Sequence, residues 1–286
     1  MPGSSSPLPR PEVVARLRAA GCVFAEDEAG LLIAAARSPA ELARLVDQRA
    51  AGMPLEQVLG WAEFCGLRIA VEPGVFAPRR RSEFLAAQAI LLARRNPAPS
   101  RPVVVDLCCG SGAVAAAVAA ALPQADLHAV DIDPAAVRCA RRNLTAAGGQ
   151  VYQGDLYQPL PPALRGRVDV LIANAPYVPT AEVGLLPAEA RSYEPRTALD
   201  GGADGLAILR RVAAAAPQWL APGGHLLVET SERQAAAMAS LAAGYGLVPR
   251  VVTSGEQAAT VVAGRRAGRE AGGRPSPAPR PGPGRP

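Results

Sequence analysis

The tetrapeptide Asn174-Ala175-Pro176-Tyr177 has the residue types of a catalytic segment, and it directly follows an apolar run. An amide or exocyclic amine nitrogen is a poor nucleophile, but its hydrogens can be held by two acceptors. The side-chain oxygen of Asn174 is one acceptor, and the carbonyl of Ala175, presented rigidly because Pro176 fixes φ, is the other. Tyr177 can pack against a planar acceptor group. The segment therefore predicts catalysis by orientation of a nitrogen, and a plain turn is the alternative.

A turn of small residues forms a second candidate site. Residues 103–112 read VVVDLCCGSG, a β-branched run that ends in an acid and opens into a helix. Ligands of parallel sheets bind beyond the carboxyl ends of the strands, and glycine allows the backbone to approach them closely. An ordinary strand-to-helix turn is the alternative, because the pattern G-x-G-x-x-G is only half matched. We predict that a cofactor contacts Asp106, Cys108, Cys109, Gly110, Ser111 and Gly112.

Two further acids follow predicted strands and extend this candidate site. Asp131 lies about twenty residues beyond the glycine turn, where a carboxylate can accept both ribose hydroxyls of a nucleotide. Asp155 can accept a hydrogen bond from an adenine amino group, although a turn residue is an equal alternative. Asp133 precedes Pro134 and is predicted to cap the next helix. These acids suit NAD almost as well as S-adenosylmethionine.

Strands and helices alternate around these residues, which predicts an α/β fold. Such alternation gives a largely parallel sheet with helices on both faces. Predicted strands lie at residues 103–105, 127–130, 151–152, 168–173, 225–229, 247–252 and 260–262. Predicted helices lie at residues 113–122, 134–147, 204–219 and 232–243.

The chain divides into four predicted regions. Residues 1–60 form a helical domain, in which Asp27 and Ser38 are candidate helix N-caps. Residues 61–100 contain a connecting hairpin and a helix, and residues 101–264 form the α/β domain. Residues 265–286 are rich in Pro, Gly and Arg and are predicted to be disordered.

Composition limits the function classes. The net charge of +5 comes from residues 265–286, so a neutral body argues against stable binding of nucleic acid. Five scattered cysteines and two histidines predict neither a disulfide framework nor a metal site. No apolar run is long enough for a bilayer, and no secretory signal is evident. We therefore expect a cytoplasmic protein without membrane contacts, and a monomer.

Six segments together resemble the release-factor glutamine-N5 methyltransferases. The resemblance covers residues 54–264, and its E-P-x-x-A-L segment is the most particular to that family. N-P-P-Y-like tetrapeptides also occur in enzymes that methylate DNA adenine. The segments are VFAPR at 75–79, DLCCGSG at 106–112, AVD at 129–131, GD at 154–155, NAPY at 174–177 and YEPRTALDGG at 193–202.

The resemblance implies a class I, Rossmann-like fold with a mostly parallel seven-stranded sheet, and S-adenosylmethionine as cofactor. It implies that residues 108–112 and Asp131 contact this cofactor, with Asp155 and Leu156 at the adenine. Residues 174–177 would bind the target glutamine, Asn174 lying next to both ligands. The helical domain would hold a peptide chain release factor, whose GGQ loop carries the glutamine methylated at N5.

Alternative substrates are another protein glutamine or an exocyclic amine of a nucleic acid. A nicotinamide dehydrogenase leaves residues 174–177 without a role, and a non-enzymatic module that binds S-adenosylmethionine leaves the intact tetrapeptide unused. Three departures from the family pattern bear on the substrate: Ala175 replaces a proline, Cys108-Cys109 replace a Gly-Thr pair, and residues 78–83 read PRRRSE instead of P-R-P-x-T-E. We also expect Glu194 and Arg196 to pair near the substrate.

Overall fold

The N-terminal helices pack around a small core of their own. The computed structural model describes residues 8–95 and 101–268. Leu17, Leu32 and Val46 are fully buried at the centre of this core. The helices are α1 (Arg10–Ala19), α2 (Ala25–Ala35), α3 (Pro39–Ala50) and α4 (Leu55–Leu59).

One of the two predicted helix caps in this region is confirmed. The Ser38 hydroxyl accepts a hydrogen bond from the Glu41 amide at 3.1 Å and caps α3. Asp27 was predicted wrongly, because α2 already begins at Ala25 and Asp27 lies in its first turn. An acid there still interacts favourably with the helix dipole.

A hairpin and a long helix connect the N-terminal helices with the α/β region. Strand β1 (Trp61–Phe64) pairs with β2 (Leu67–Ala70) in antiparallel register. Helix α5 (Ser82–Arg95) follows after residues 71–81. This intervening stretch leads to the candidate site and supplies several of its side chains.

Seven strands form a mostly parallel sheet in the order β5-β4-β3-β6-β7-β9-β8. Strand β9 is antiparallel to both neighbours, whereas the first five strands of this order are parallel. The strands are β3 (Val103–Leu107), β4 (Asp126–Asp131), β5 (Gln150–Gln153), β6 (Val168–Ala173), β7 (Leu220–Thr230), β8 (Leu247–Ser254) and β9 (Ala259–Arg266). The helices are α6 (Ala113–Ala121), α7 (Pro134–Leu144), α8 (Ala188–Tyr193), α9 (Ala207–Trp219) and α10 (Glu232–Gly244). The α/β fold class is confirmed.

The central strands are buried throughout because both faces of the sheet are covered. Every residue of β3 and of β6 is buried. Alternate side chains enter opposite cores, as the period of a strand requires: Val105 and Leu171 belong to one core, and Val104 and Ile172 to the other. The carboxyl ends of β3 and β6 are thereby fixed beside each other.

The predicted boundary at residue 264 is wrong by two residues. Arg265 pairs with His225 of β7, and Arg266 pairs with Leu247 of β8, because the ladder of β9 continues. The Arg266 guanidinium also donates to the Leu220 carbonyl. Two arginines assigned to the tail therefore belong to the sheet, and residues 269–286 of the predicted tail lie outside the described residues. Within residues 8–95 and 101–268, no helix is long and apolar enough to cross a membrane.

A partly buried ion cluster joins the helical region to the loops of the α/β region. The Arg49 guanidinium contacts the Glu28 carboxylate at 2.6 Å and the Glu189 carboxylate at 3.2 Å. Gln57 donates to the Tyr193 carbonyl at 3.3 Å, and the Tyr193 hydroxyl donates to the Ala51 carbonyl at 3.0 Å. Helix α8, which carries Glu189 and Tyr193, is thus held from the N-terminal side.

Candidate active site

A cavity of about 640 Å³ opens at the carboxyl edge of β3, β4, β6 and β7. All but one of the site residues predicted from sequence line it. Gly112 is the exception: its φ is +77°, and a Cβ there would lie 3.1 Å from the Ala140 Cβ. The predicted residues that line the cavity are Asp106, Cys108, Cys109, Gly110, Ser111, Asp131, Asp155, Leu156, Asn174, Ala175, Pro176 and Tyr177.

Asp131 organises the glycine turn through backbone hydrogen bonds. Its Oδ2 accepts from the Gly110 amide at 2.8 Å, and its Oδ1 accepts from the Asp133 amide at 2.9 Å. Burial raises the pKa of this carboxyl, against the lowering effect of these bonds. Each oxygen keeps a further lone pair for a ligand hydroxyl. Asp133 caps α7 as predicted, since its Oδ1 accepts from the Ala135 amide at 2.7 Å.

Asp106 is a buried acid with an unused oxygen. It is 2% exposed, and burial raises the pKa of its carboxyl to about 7, while a hydrogen bond from the Ala115 amide acts in the opposite direction. Within the described part of the chain, its Oδ2 has no hydrogen-bond partner. Buried polar atoms are nearly always paired, so this oxygen is suited to a donor on a ligand.

Asp155 and Cys108 line the cavity as predicted, but each has a feature that the sequence did not indicate. Asp155 already contacts Arg211 at 2.5 Å, so an adenine amino group would share the carboxylate with a guanidinium. Cys108 adopts a φ of +56°, a conformation that favours glycine. Burial raises the pKa of the Cys108 and Cys109 thiols, which keeps both neutral.

Asn174 is oriented by a side chain from the start of α5. Its Nδ2 donates to the Ser82 hydroxyl at 3.0 Å. Among the described residues no hydrogen bond engages its Oδ1, so the acceptor end of the amide remains available. Ala175 is 1% exposed, and the carbonyl of Tyr177 accepts from Gln234 at 2.9 Å. The tetrapeptide is therefore anchored on both sides.

Three residues just before or at the start of α5 contact three different parts of the cavity wall. Besides the contact of Ser82 with Asn174, Arg79 contacts Glu194 at 2.5 Å, and Arg81 Nε lies 3.3 Å from Glu229 Oε1. We call residues 79–82 the arginine brace. It ties together the end of β6, the end of β7 and the loop after α8.

None of these contacts was predicted from sequence. The expected pair of Glu194 with Arg196 is wrong, because Arg196 instead contacts Asp200 at 3.0 Å. Glu229 carries the same sequence signal as Asp106 and Asp131, an acid near the end of an apolar run, and this signal could have identified it.

Three buried carboxylate oxygens without partners in the described chain line the same cavity: Asp106 Oδ2, Glu194 Oε2 and Glu229 Oε2. S-adenosylmethionine has a sulfonium, an ammonium and a ribose diol, so its positive charges and donors fit the acids on β3 and β4. No cluster of potential metal ligands occurs in residues 8–95 or 101–268.

Comparisons with known proteins agree with this geometry. A model of the methyltransferase small domain matches residues 66–189. A release factor glutamine methyltransferase of Geobacter sulfurreducens is 43% identical over 203 residues, 69% of each chain. Another, of Moorella thermoacetica, is 40% identical over 258 residues, 82% of this chain and 88% of the relative.

Two further matches show the breadth of the similarity. A 4-amino-L-phenylalanine/4-methylamino-L-phenylalanine methyltransferase of Streptomyces pristinaespiralis is 36% identical over 200 residues, 68% of this chain and 67% of the relative. The solved structure of a methyltransferase from Pyrococcus furiosus matches with a TM-score of 0.51 and 16% identity, and the match covers 77% of this chain and 99% of that one.

The sheet order and the acid-lined cavity define a class I methyltransferase whose cofactor is S-adenosylmethionine. This confirms the fold, the enzyme class and the cofactor expected from sequence. At 40% identity over most of both chains, the protein belongs to the release factor glutamine methyltransferase family.

Proposed function

We propose that this enzyme transfers a methyl group to the side-chain amide nitrogen of a protein glutamine, in the GGQ loop of a peptide chain release factor. The observation that carries the proposal is the orientation of Asn174, whose Nδ2 is held by Ser82 while its Oδ1 is left for a donor. A glutamine amide supplies such a donor. The names of the relatives from G. sulfurreducens and M. thermoacetica support the same substrate.

The acceptor residues act by positioning. Asn174 Oδ1 and the Ala175 carbonyl each hold one hydrogen of the target nitrogen, and Tyr177 packs against the amide plane. Because Ala175 is buried, its backbone is held in place. Orientation of this kind can supply several kcal/mol of the barrier reduction, about 7–11 in favourable model reactions.

The other half of the cavity holds the cofactor, which supplies an electrophilic methyl group when bound. In this proposal Asp106 accepts from its ammonium group, Asp131 accepts from its ribose hydroxyls, and residues 108–111 approach it through their backbone. Asp155 and Leu156 border the adenine. The partnerless Asp106 oxygen and the free lone pairs of Asp131 support these assignments.

The helical region at residues 1–60 is proposed to hold the release factor. Val23 and Phe24 lie between α1 and α2 and are 84% and 68% exposed, so they offer apolar surface to a protein partner. A monomeric state, a cytoplasmic location and the lack of stable binding to nucleic acid stay predictions from sequence.

A primary aromatic amine of a small molecule is the second candidate substrate. The relative from S. pristinaespiralis, named for 4-amino-L-phenylalanine, favours it. An arylamine nitrogen has two hydrogens that the same two acceptors can hold. The first substrate remains preferred because the better-covered relative carries the release factor name.

Mass spectrometry of a release factor incubated with the enzyme and S-adenosylmethionine tests the proposal. We expect one added methyl group on the glutamine of the GGQ loop, and none on a release factor whose glutamine is replaced by glutamate. Methylation of 4-amino-L-phenylalanine alone would favour the second candidate. Methylation of neither, with cofactor binding confirmed by calorimetry, would contradict both.

A further inference from the structure

Glu229 lies opposite the acceptor-binding residue Asn174. Strands β6 and β7 are parallel, and Ala173 is in register with Val228, so the next residues of the two strands are neighbours. Adjacent strands are about 4.8 Å apart. Glu229 also lines the cavity. Strand β3, which leads into the glycine turn, pairs with the other edge of β6, so Glu229 lies on the side of Asn174 that is remote from the cofactor residues.

The carboxylate of Glu229 is buried, and only one of its two oxygens has a hydrogen-bond partner in the described part of the chain. Its side chain is 2% exposed, and Oε1 accepts from Arg81 Nε at 3.3 Å. In the described part of the chain Oε2 has no hydrogen-bond partner. Such an oxygen destabilises the free protein unless a ligand supplies a donor. The position beside Asn174 makes the acceptor substrate that ligand.

The reaction requires a proton acceptor that the tetrapeptide cannot provide. The target nitrogen begins with two hydrogens and keeps one after methylation. The amide oxygen of Asn174 and the carbonyl of Ala175 can accept a hydrogen bond from the nitrogen, but both are far weaker bases than a carboxylate. A carboxylate can therefore serve as the proton acceptor.

We propose that Glu229 is a catalytic residue whose Oε2 shares one N–H of the acceptor nitrogen with Asn174 Oδ1 and takes that proton during methyl transfer. This inference rests on the proposed function. The nitrogen lone pair forms the bond to the methyl carbon, and the methyl–sulfur bond breaks with its electron pair going to sulfur. The N–H electron pair returns to nitrogen as the proton passes to Glu229.

The surroundings of Glu229 suit this role. The Arg81 guanidinium contacts the Glu229 carboxylate, and the Arg81 side chain is 45% exposed, which connects the pair with solvent for later loss of the proton. Tyr177 faces the same pair. Burial, followed by the charge of Glu229, raises the pKa of the Tyr177 hydroxyl, while Arg81 opposes the increase. Tyr177 therefore stays neutral and cannot take the proton, although its hydroxyl interacts with the Glu229 carboxylate.

A positioning role is the competing explanation, because Glu229 also holds Arg81, and Arg81 adjoins Ser82. Three variants distinguish the catalytic role of Glu229 from the positioning role: E229Q, E229A and R81Q. Single-turnover rates are measured at saturating S-adenosylmethionine with an N–H acceptor that the wild type methylates. Thermal unfolding and cofactor affinity serve as controls for folding.

We expect E229Q to lower the methyl-transfer rate by about 10²–10⁴-fold, as for loss of a general base, with cofactor affinity unchanged. Formate, a small carboxylate that can enter the cavity, should restore part of the rate of E229A. R81Q keeps the carboxylate, so its loss should be smaller and insensitive to formate.

An E229Q rate within threefold of wild type overturns the inference, and so do equal losses in E229Q and R81Q without formate rescue. Failure of the proposed function looks different, because the wild type itself then methylates no glutamine. The same variants can in that case be measured with an arylamine acceptor. A wild type that methylates neither acceptor removes both proposals.

Discussion

The two halves of the cavity are built differently. In the half proposed to bind the cofactor, called the cofactor half, Asp131 contacts Gly110 and Asp133, 21 and 2 residues away in sequence. In the half proposed to bind the acceptor, called the acceptor half, the arginine brace contacts residues 92, 115 and 148 positions away. The first half is assembled within two adjacent strand–turn–helix units. The second exists only when the brace, β6, β7 and the loop after α8 have come together.

This difference predicts that cofactor binding and methyl transfer can be impaired separately. Substitutions near the glycine turn should change affinity for S-adenosylmethionine. Substitutions in the acceptor half should change the rate at saturating cofactor. Variants that affect both quantities equally would mean that the cavity acts as one unit.

Among the variants, Asn174→Ala should separate the methyl-transfer rate from the cofactor affinity most strongly. It removes the acceptor for the target nitrogen, so we expect turnover to fall by at least about 10²-fold, the loss typical of a misplaced reacting group. Cofactor affinity should stay within about twofold, because no described contact joins Asn174 to the turn. Calorimetry with S-adenosylmethionine and the mass-spectrometric assay give the two quantities, and a normal rate would exclude the assigned role.

Asp106→Asn tests the opposite half. A hydrogen bond to a charged group is worth about 1.5–3 kcal/mol, so cofactor affinity at pH 8 should fall about 10- to 100-fold, with a smaller change in rate at saturation. The wild-type carboxyl has a pKa of about 7, so wild-type affinity should weaken as the pH falls from 8 to 6. The variant should not show this dependence; the same pH slope in both proteins would assign it to another group.

The pH dependence of stability checks the same assignment in the free protein. The pKa of Asp106 is higher in the folded protein than in the unfolded chain. Between about pH 4 and 7 the folded state therefore binds the extra proton, and the free energy of unfolding falls as pH rises through this range. Denaturant titrations of wild type and Asp106→Asn at pH 5 and 8 should show the steeper fall in the wild type.

Ser82→Ala tests the orientation of Asn174 alone, because it leaves every reacting group in place. It removes the bond that orients Asn174 and should lower the rate about tenfold, in line with about 1–2 kcal/mol for a buried hydrogen bond. Ser82→Thr retains the hydroxyl and is the matched control. Equal rates for the two variants would mean that the brace is dispensable for orientation.

Truncation at the C-terminus should have the smallest effect on activity. A chain ending at Gly268 keeps β9, and we expect wild-type methylation and stability. A chain ending at Gly264 loses the Arg266 contact with Leu220 and two ladder residues, which should lower the free energy of unfolding by about 1–3 kcal/mol. Thermal unfolding measures this; a loss of methylation in the longer chain would instead give residues 269–286 a role in recognition.

The same contrast explains what the sequence could predict. Asp131 and Gly110 were recognisable because the constraint on each is local: an acid ends a strand, and a small residue follows. The strands themselves were visible as apolar runs, and the tetrapeptide follows one of them. Ser82 gave no such signal, since its partner is 92 residues away.

The errors also have physical causes. Glu194 and Arg196 are close in sequence, but the backbone is extended at Glu194 and Pro195, and Glu194 contacts Arg79 whereas Arg196 contacts Asp200. The sheet boundary was misplaced because arginines suggested a solvated tail, whereas a strand near the edge of a sheet accommodates long charged side chains.

The position of β9 has a consequence for biosynthesis. It is translated after β7 and β8 and yet lies between them. A nascent chain that has already emerged through β8 still has one open edge on β7, the strand that carries Glu229. Unpaired edges of this kind favour association between chains, so this association is most favoured before residue 266 emerges.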